Sequence, residues 1–564
     1  MKIIGINWEQ NSTAALLIDG EIIACVSEER FTRIKNDEQY PINAINWILE
    51  INKIKPHDLD AIVYVSKAWS PGYILTRHYT RFDVKDYIYE QKMIWKPRIF
   101  ENKNVSQLKV FKERIDKDQF PGKTFWEDVV KDLEQDSAHV SSKFSLSYGQ
   151  DLRKRVAINH LNVEKSKIHF TDHSFSHACY AYYTTPREER KTFNLVLTLD
   201  AFGDNINYSA YVFKNIKGKI SSEKICSGND FIIGRLYRYI TLILGLKPNE
   251  HEYKVMGLAP YCKENYFQPL LEKFKNIQDV EGLDFVYKNR PRDMYFSIKE
   301  MLDGERFDTI SGALQAYTEY LVQKWVSNIV NKTGVRKISI AGGVSMNVKA
   351  NMLIAKLKSV DYLHVPPSPD DSSQAMGAAF TFMHLESSKN NIPIKNFGNP
   401  YLGQNENYTF DQLTELLVNL EKTNEVKVFS YDPSQVAKYL ANGLIFARFV
   451  GKEEFGARAL GNRSILADPS KLDIKKKINE KVKNRDFWMP FACSVLSEKS
   501  AEYFILDSCK SSYSYMTLCA ETTAKGSREL QAAIHPYDET CRPHLVMKEN
   551  NLSYYDLIKE FGNL

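Results

Sequence analysis

The sequence predicts an α/β protein of two lobes, and three observations predict it. A length of 564 residues exceeds what one core serves, since single cores stop growing near ~250–300 residues. Short apolar runs at Lys2 to Asn7, Asn194 to Leu199 and Lys337 to Ala341 read as strands; each ends in a turn of polar residues or glycine and alternates with segments of helical apolar spacing. A stretch rich in Asn, Pro and Gly, with Pro393, Gly398, Pro400 and Gly403, then interrupts the pattern before a new periodic region opens near Ser434. This places a first lobe at 1–395, a connector at 396–430 and a second lobe at 431–564.

Composition removes several classes. With 75 Lys and Arg against 70 acids and no extended basic run, nucleic acid is not an expected partner. No signal-peptide core and no ~20-residue apolar span is present, so no membrane is expected and the setting is cytoplasmic. Eight Cys without any Cys-x-x-Cys pair fit reduced thiols that pack, not a disulfide framework or zinc finger.

The chain opens with strands at 2–7, 14–18 and 21–27, the last two joined at Asp19-Gly20, the start of a mixed sheet. Between the first two lies Asn7-Trp8-Glu9-Gln10-Asn11-Ser12-Thr13, an ordinary polar turn or a bend whose donors hold a phosphate. Ser27 to Lys35 is a charge run, a solvated face or a receiver of an anion. From about 70 to 152 the sequence is aromatic, basic and helical, an inserted segment whose aromatic stripes read first as core and second as acceptor recognition.

His173 and His177 follow, four apart, so on a helix they project from one face. Such a pair is either a hydrogen-bonded helix face or two ligands of one divalent ion. Asp200, at a strand tip in Asp200-Ala201-Phe202-Gly203-Asp204, and Asp371 are the further candidate ligands, and two His with carboxylates suit iron, manganese or zinc. Lys254, in His251 to Tyr261, can counter an anionic ligand. After Lys337 to Ala341, Gly342-Gly343-Val344-Ser345-Met346-Asn347 forms a strand-to-helix turn where a ligand can approach the backbone. The three loops near Asn7, Asp200 and Gly342 match the arrangement by which actin-like and sugar-kinase-like ATPases surround a nucleotide with two sheets, here with Asp200, Gly203, Gly342, Gly343 and Asn347 beside it.

The second lobe should begin with a helix at Val436 to Ala441 and a strand at Leu444 to Val450. Gly451 to Ser464 then places Lys452, Arg458 and Arg463 around three glycines, with Lys483 and Arg485 beyond; forked Arg donors beside glycine make an anion cradle.

With these stretches in hand, the chain resembles an O-carbamoyltransferase of the NodU/CmcH family through nearly all its length. The motifs that carry the resemblance are Asp19-Gly20 with Glu28 to Arg33, Asp172-His173 with Ser176-His177-Ala178, Glu252 to Tyr261, Ala341 to Val344 with Asn347, and Phe455 to Leu466. The resemblance implies an actin-like ATPase first lobe and a YrdC-like second lobe that forms carbamoyl-adenylate from carbamoyl phosphate and ATP, the ATP carrying magnesium. The first lobe would then pass the carbamoyl group to a hydroxyl of a small molecule, sugar or natural product. It further implies that His173, His177, Asp200 and Asp371 hold iron(II) or a related ion, that Lys452, Arg458, Arg463, Lys483, Arg485 and Arg542 hold phosphates, and that the protein can form a homodimer.

Three departures qualify it. Gln10-Asn11 stand where the family carries His-Asp; these two, with Lys254, are the residues assigned to the chemistry, yet neither amide is a general base at neutral pH. The acceptor proton must then go to a metal-bound hydroxide, the departing phosphate, Asp204 or Glu252. Ala457 replaces a Pro, and Met489 stands where many members have Arg. The family's Asn-Thr-Ser-Phe-Asn segment after Asp538 to Arg542 is absent, which implies a shortened second lobe or a truncated sequence. The rival readings are transfer to an amine or nucleic acid, and a binding protein of the same fold without turnover.

Overall fold

A computed structural model describes residues 1–69, 76–77, 79–116, 142–216, 218–390, 395–405, 410–421, 430–507 and 510–564. They form two compact units, Met1–Gly398 with Asp507–Ser512, and Asn399–Leu506 with Tyr513–Leu564.

The first unit contains two five-stranded sheets built to one plan. The first has β1 (Lys2–Asn7), β2 (Thr13–Ile18), β3 (Glu21–Ser27), β4 (Ala61–Val65) and β5 (Ile168–Thr171) in the order β3-β2-β1-β4-β5. The second has β6 (Phe193–Gly203), β7 (Ile206–Ile216), β8 (Lys219–Gly228), β11 (Lys337–Ala341) and β12 (Tyr362–His364) in the order β8-β7-β6-β11-β12. A side hairpin, β9 (Gln278–Glu281) with β10 (Asp284–Tyr287), lies between β8 and β11 in sequence. In each sheet the first three strands form an antiparallel meander, and the last two run parallel to the first. The central strands β1 and β4 are buried almost end to end, which is why the sequence shows them as continuous apolar runs rather than as alternation.

The helices after the edge strands are exchanged between the sheets. Helix His173–Thr184 leaves β5 of the first sheet yet packs on β6, β7 and β11 of the second. Helix Gln374–Asn390, which follows β12 of the second sheet, packs on β1, β2 and β4 of the first. The two helices also pack on each other; Gly377 permits this, because a Cβ there would press into the Ser176 carbonyl. A helix launched from one sheet thereby packs on the strands of the other.

The described part of the 70–152 insertion is helical: Val84–Glu90, a π-turn Gln91–Trp95, Lys96–Phe100, Gln107–Phe111 and Ser142–Leu161. Residues 70–75, 78 and 117–141 of it lie outside the described residues.

The second unit has only small sheets among the described residues: β13 (Phe446–Phe449) with β14 (Arg463–Leu466), β15 (Cys493–Leu496) with β19 (Pro543–Val546), and β16 (Phe504–Ile505), β17 (Ala520–Thr522) and β18 (Thr540–Cys541). Helices Pro433–Ala441 and Leu552–Gly562 pack through Ala437, Leu440, Tyr554 and Leu557, with Val546 beneath them. The 396–430 stretch is more structured than its Pro and Gly suggested. Residue 399 already belongs to the second unit, where Gly403 donates to the Glu453 carbonyl and Phe455 to that of Pro400. Within the stretch, Phe410–Glu421 is a helix, consistent with Leu413, Leu416, Leu417 and Leu420 at helical spacing. No described helix is long and apolar enough to cross a membrane.

Candidate functional site

Asp172 caps helix His173–Thr184 by accepting from Phe175 N at 2.9 Å, so His173 opens the helix and His177 lies one turn on, on the same face. At the end of β6 the register with β7 shifts after Leu199. Asp200 Oδ1 there accepts from Ala201 N at 2.7 Å, which turns Oδ2 toward the helix. Asp371 comes from the loop after β12, held to the end of β11 by Gly342 N donating to the Pro369 carbonyl at 2.8 Å.

Asp200 Oδ2 lies 3.0 Å from His173 Nε2 and 3.1 Å from His177 Nε2; Asp371 Oδ1 lies 3.4 and 3.3 Å from the same two atoms. One ligand atom from each residue falls within 4.8 Å of all the others. These separations suit one ion, since two donors bound at ~2.1 Å and about a right angle apart lie ~3.0 Å from each other. Both histidines are buried, and the Asp371 side chain, 24% exposed, is the most open of the four. Burial opposes a charged imidazole, yet hydrogen bonding to Asp200 and Asp371 outweighs it and holds His173 well above its ordinary range and His177 above it. Burial likewise pushes the carboxyls up, and the two imidazoles overcome this to hold Asp200 and Asp371 below theirs. Alone, the cluster settles as imidazolium–carboxylate pairs. A divalent cation does the work of those protons, and the two-imidazole, two-carboxylate set fits it.

The first loop reaches this cluster. Asn7 Nδ2 donates to the Gln10 carbonyl at 3.0 Å and to the Asp371 carbonyl at 2.9 Å. Gln10 Nε2 donates to the Asn249 carbonyl at 2.9 Å, so this amide ties two loops together. Asn11 takes a left-handed backbone, φ 57°, with its buried Oδ1 unpartnered. Lys254 lies on helix Glu252–Leu258, started beside Asn249, whose N–H donates to the Glu252 carboxylate. Gly203 faces the His173 ring, where a Cβ would collide; a Cβ on Gly343 would stand 3.1 Å from Asp200 Oδ1. Gly342, φ 98°, lies against the backbone of Leu199.

Three residues expected at ligands or at the acceptor proton have protein partners in the structure. Asn347 was expected beside a nucleotide, but its side chain is buried and engaged: Oδ1 caps the following helix at Ala350 N, and Nδ2 donates to Gln315 Oε1 at 2.9 Å. Asp204 is no free base, for its carboxylate accepts from the backbone N–H of His173, Lys67 and Ala68. Arg463 does not cradle an anion. Its NH1 donates to the Val450 and Asn462 carbonyls and its NH2 to those of Gln404 and Gly451, which uses all four terminal N–H bonds, while the guanidinium lies 3.6 Å over the Phe449 ring.

Elsewhere in the second unit the cations behave differently. Arg485 lies over the Phe491 ring, and the Arg542 Nε is buried without a partner. Burial first, and the positive charge of Arg485 further down, depress Arg542; burial and Arg485 depress Lys475 as well. Lys475 escaped the sequence reading because it sits in a lysine run that looks like a solvated face. Lys452 and Lys483 are exposed and Arg458 is half-buried. Glu454 also escaped it: this buried carboxylate accepts from the N–H groups of Leu460 and Arg463 and shapes the loop between them.

Residues 2–380 match the family model described as the carbamoyltransferase N-terminus, and residues 437–564 match the carbamoyltransferase C-terminus. Over its full length the chain is 28% identical to an uncharacterized protein of Methanocaldococcus jannaschii, covering 92% of that protein. It is 27% identical to the nodulation protein NolNO of Sinorhizobium fredii, over 98% of this chain and 72% of that one. Component A of the Acidaminococcus fermentans (R)-2-hydroxyglutaryl-CoA dehydratase covers 68% of this chain and 97% of its own at 13% identity, but with a TM-score of 0.30 it carries no argument.

Proposed function

We propose, from the premise that this chain belongs to the carbamoyltransferase family through both matched segments, that it moves a carbamoyl group from carbamoyl phosphate to a hydroxyl by way of carbamoyl-adenylate. It is a carbamoyl transfer enzyme; the finer reading divides two half-reactions between its units. The observation that carries it is the convergence of His173, His177, Asp200 and Asp371 within 4.8 Å, inside the segment matching the family's N-terminus.

In this reading the second unit is YrdC-like and makes the adenylate. Carbamoyl phosphate loses phosphate to water, and the resulting carbamate attacks the α-phosphorus of ATP, with pyrophosphate leaving. The charge held there supports this: burial and, behind it, the charge of Arg485 depress both Lys475 and Arg542, and a phosphate beside them would relieve that repulsion and fill the open valence of Arg542 Nε. Lys452, Arg458 and Lys483 are assigned the outer phosphates, and magnesium travels with the ATP.

The first unit then positions adenylate and acceptor. The acceptor oxygen attacks the carbamoyl carbon, the bond to the adenylate oxygen breaks, and AMP departs. A divalent ion on the four ligands, iron(II) in our reading, supplies Lewis-acid polarisation of the carbamoyl carbonyl when bound. The Gln10 amide and the Asp204 and Glu252 carboxylates are all engaged with backbone groups, and in this reading the acceptor proton passes to the departing phosphate. That weak base suffices because the proton leaves only as the C–O bond forms. Pyrophosphate release from ATP and carbamoyl phosphate without acceptor is the test. No release would reduce the chain to a binding protein. Labelled carbamoyl phosphate offered with alcohols, sugars and amines, read by mass spectrometry, decides the acceptor, and labelling of amines alone would overturn the hydroxyl assignment.

A further inference from the structure

We propose that Glu9 and Ser66 are positioning residues that lock the Nδ1–H tautomer of His173, making it the firmer of the two imidazole ligands. The inference rests on the metal reading above and concerns residues outside the ligand set.

The two histidines share their Nε2 environment and differ completely at Nδ1. His177 Nδ1 is buried with no partner. His173 Nδ1 has Ser66 Oγ at 3.0 Å and Glu9 Oε2 at 3.5 Å. Without metal the Asp200 and Asp371 oxygens accept from Nε2; an ion on Nε2 leaves the single ring hydrogen on Nδ1, where the Glu9 carboxylate can only accept it and the Ser66 hydroxyl can accept it too. A partner of this kind fixes ring orientation and raises ligand basicity.

The backbone around Ser66 points the same way. Ser66 is buried at the end of β4 with φ 65°, a left-handed conformation uncommon for serine. The next two N–H groups, of Lys67 and Ala68, are held by the Asp204 carboxylate, which also accepts from His173 N. One carboxylate therefore clasps the strained turn to the start of the helix and delivers the Ser66 hydroxyl to the imidazole. Glu9 arrives from the first loop, its side chain 17% exposed, while Asn7 anchors that loop to Asp371. Strain kept at a turn whose hydroxyl meets a buried ring is strain with a use.

The experiment titrates metal-free full-length protein with cobalt(II), reading the visible absorption of the bound ion in competition with a chelator. Ser66→Gly removes the hydroxyl while suiting the backbone, since glycine adopts positive φ freely; Glu9→Gln removes the charge at constant size. Each is expected to weaken cobalt(II) binding by about 10–100-fold with the thermal midpoint of the metal-free protein retained. Parental affinity in both variants would overturn the inference and leave the metal reading standing. Affinity lost only in step with metal-free stability would show a merely structural role and overturn it too. A parent chain that binds no cobalt(II) would overturn both readings together.

Discussion

The His173 cluster, legible from helical spacing and strand-end carboxylates, and the Arg463 loop, legible from cations beside glycines, both read as ligand sites in the sequence, and in the structure they come out opposite. In the first unit His173, His177, Asp200 and Asp371 turn inward and meet. In the second, Arg463 spends its guanidinium on the carbonyls of its own loop and of Gln404. The difference lies in what each side chain can satisfy locally. Asp200 and the histidines are short groups on a strand end and a helix, where backbone groups are largely paired already, so their free atoms face one another. Arg463 starts a strand beside a glycine-rich turn, and a five-donor fork there finds carbonyl acceptors at home.

Removing both imidazoles has the largest expected effect. The His173→Ala/His177→Ala variant is expected to lose its metal and with it all detectable carbamoyl transfer, while still releasing pyrophosphate from ATP and carbamoyl phosphate. Metal analysis and a pyrophosphate assay check the two halves, and full metal content in the variant would sink the ligand assignment. Next in size is Arg463→Ala. Four hydrogen bonds from a charged donor, part of them solvent-exposed, should cost about 3 kcal/mol of stability, seen as a lower denaturant midpoint with little change in the KM for ATP of the folded fraction. Arg542→Met should do the reverse, holding the midpoint and raising the KM for carbamoyl phosphate or ATP by about 10-fold or more. If Arg463→Ala raises KM at unchanged stability, Arg463 is a phosphate ligand after all.

Legibility followed the same division. The strands β1, β6 and β11 and the spacing of His173 and His177 stand out because burial on both faces and helical periodicity leave a direct mark on residue order. The exchange of helices between sheets leaves none, since it depends on Gly377 meeting Ser176 across the fold. Nor could the sequence show that Asn347, in a motif suited to a nucleotide, would be engaged by Gln315 from a distant helix. Ser66 carries no signal at all; a lone serine after an apolar strand is common, and only its positive φ and its contact with His173 distinguish it.

Asp204 tests the border between these classes, because its glycine-turn position looked catalytic and its contacts are with backbone. Asp204→Asn keeps the shape but turns an amide NH2 toward at least one of the three N–H groups now satisfied. The bonds from Lys67 and Ala68 are exposed and that from His173 is part-buried, so a donor left opposed to a donor here costs about 1 kcal/mol. The expected result is a lower thermal midpoint and weaker metal binding together, since the carboxylate holds the turn that carries Ser66. A variant with parental stability and a transfer rate lowered a thousandfold would restore Asp204 as the base.

The smallest expected effect belongs to Gln10, a residue that the sequence assigns to the chemistry and the structure ties between two loops. Its amide hydrogen bond to the Asn249 carbonyl joins the first loop to the loop that starts helix Glu252–Leu258. Gln10→Ala removes one neutral hydrogen bond, worth about 1 kcal/mol, from the loops rather than from the reacting atoms. A looser pair of loops should raise the KM for the acceptor roughly fivefold and leave the single-turnover rate at saturating acceptor within a factor of two or so, the pattern of lost uniform binding. Pyrophosphate release should not change, as Gln10 and the cations of the second unit belong to different units. A well-placed base contributes ~10²–10⁴-fold. A single-turnover fall of that size in Gln10→Ala would therefore mean that the amide orders the water or phosphate that takes the acceptor proton, and that this loop has a place in proton transfer.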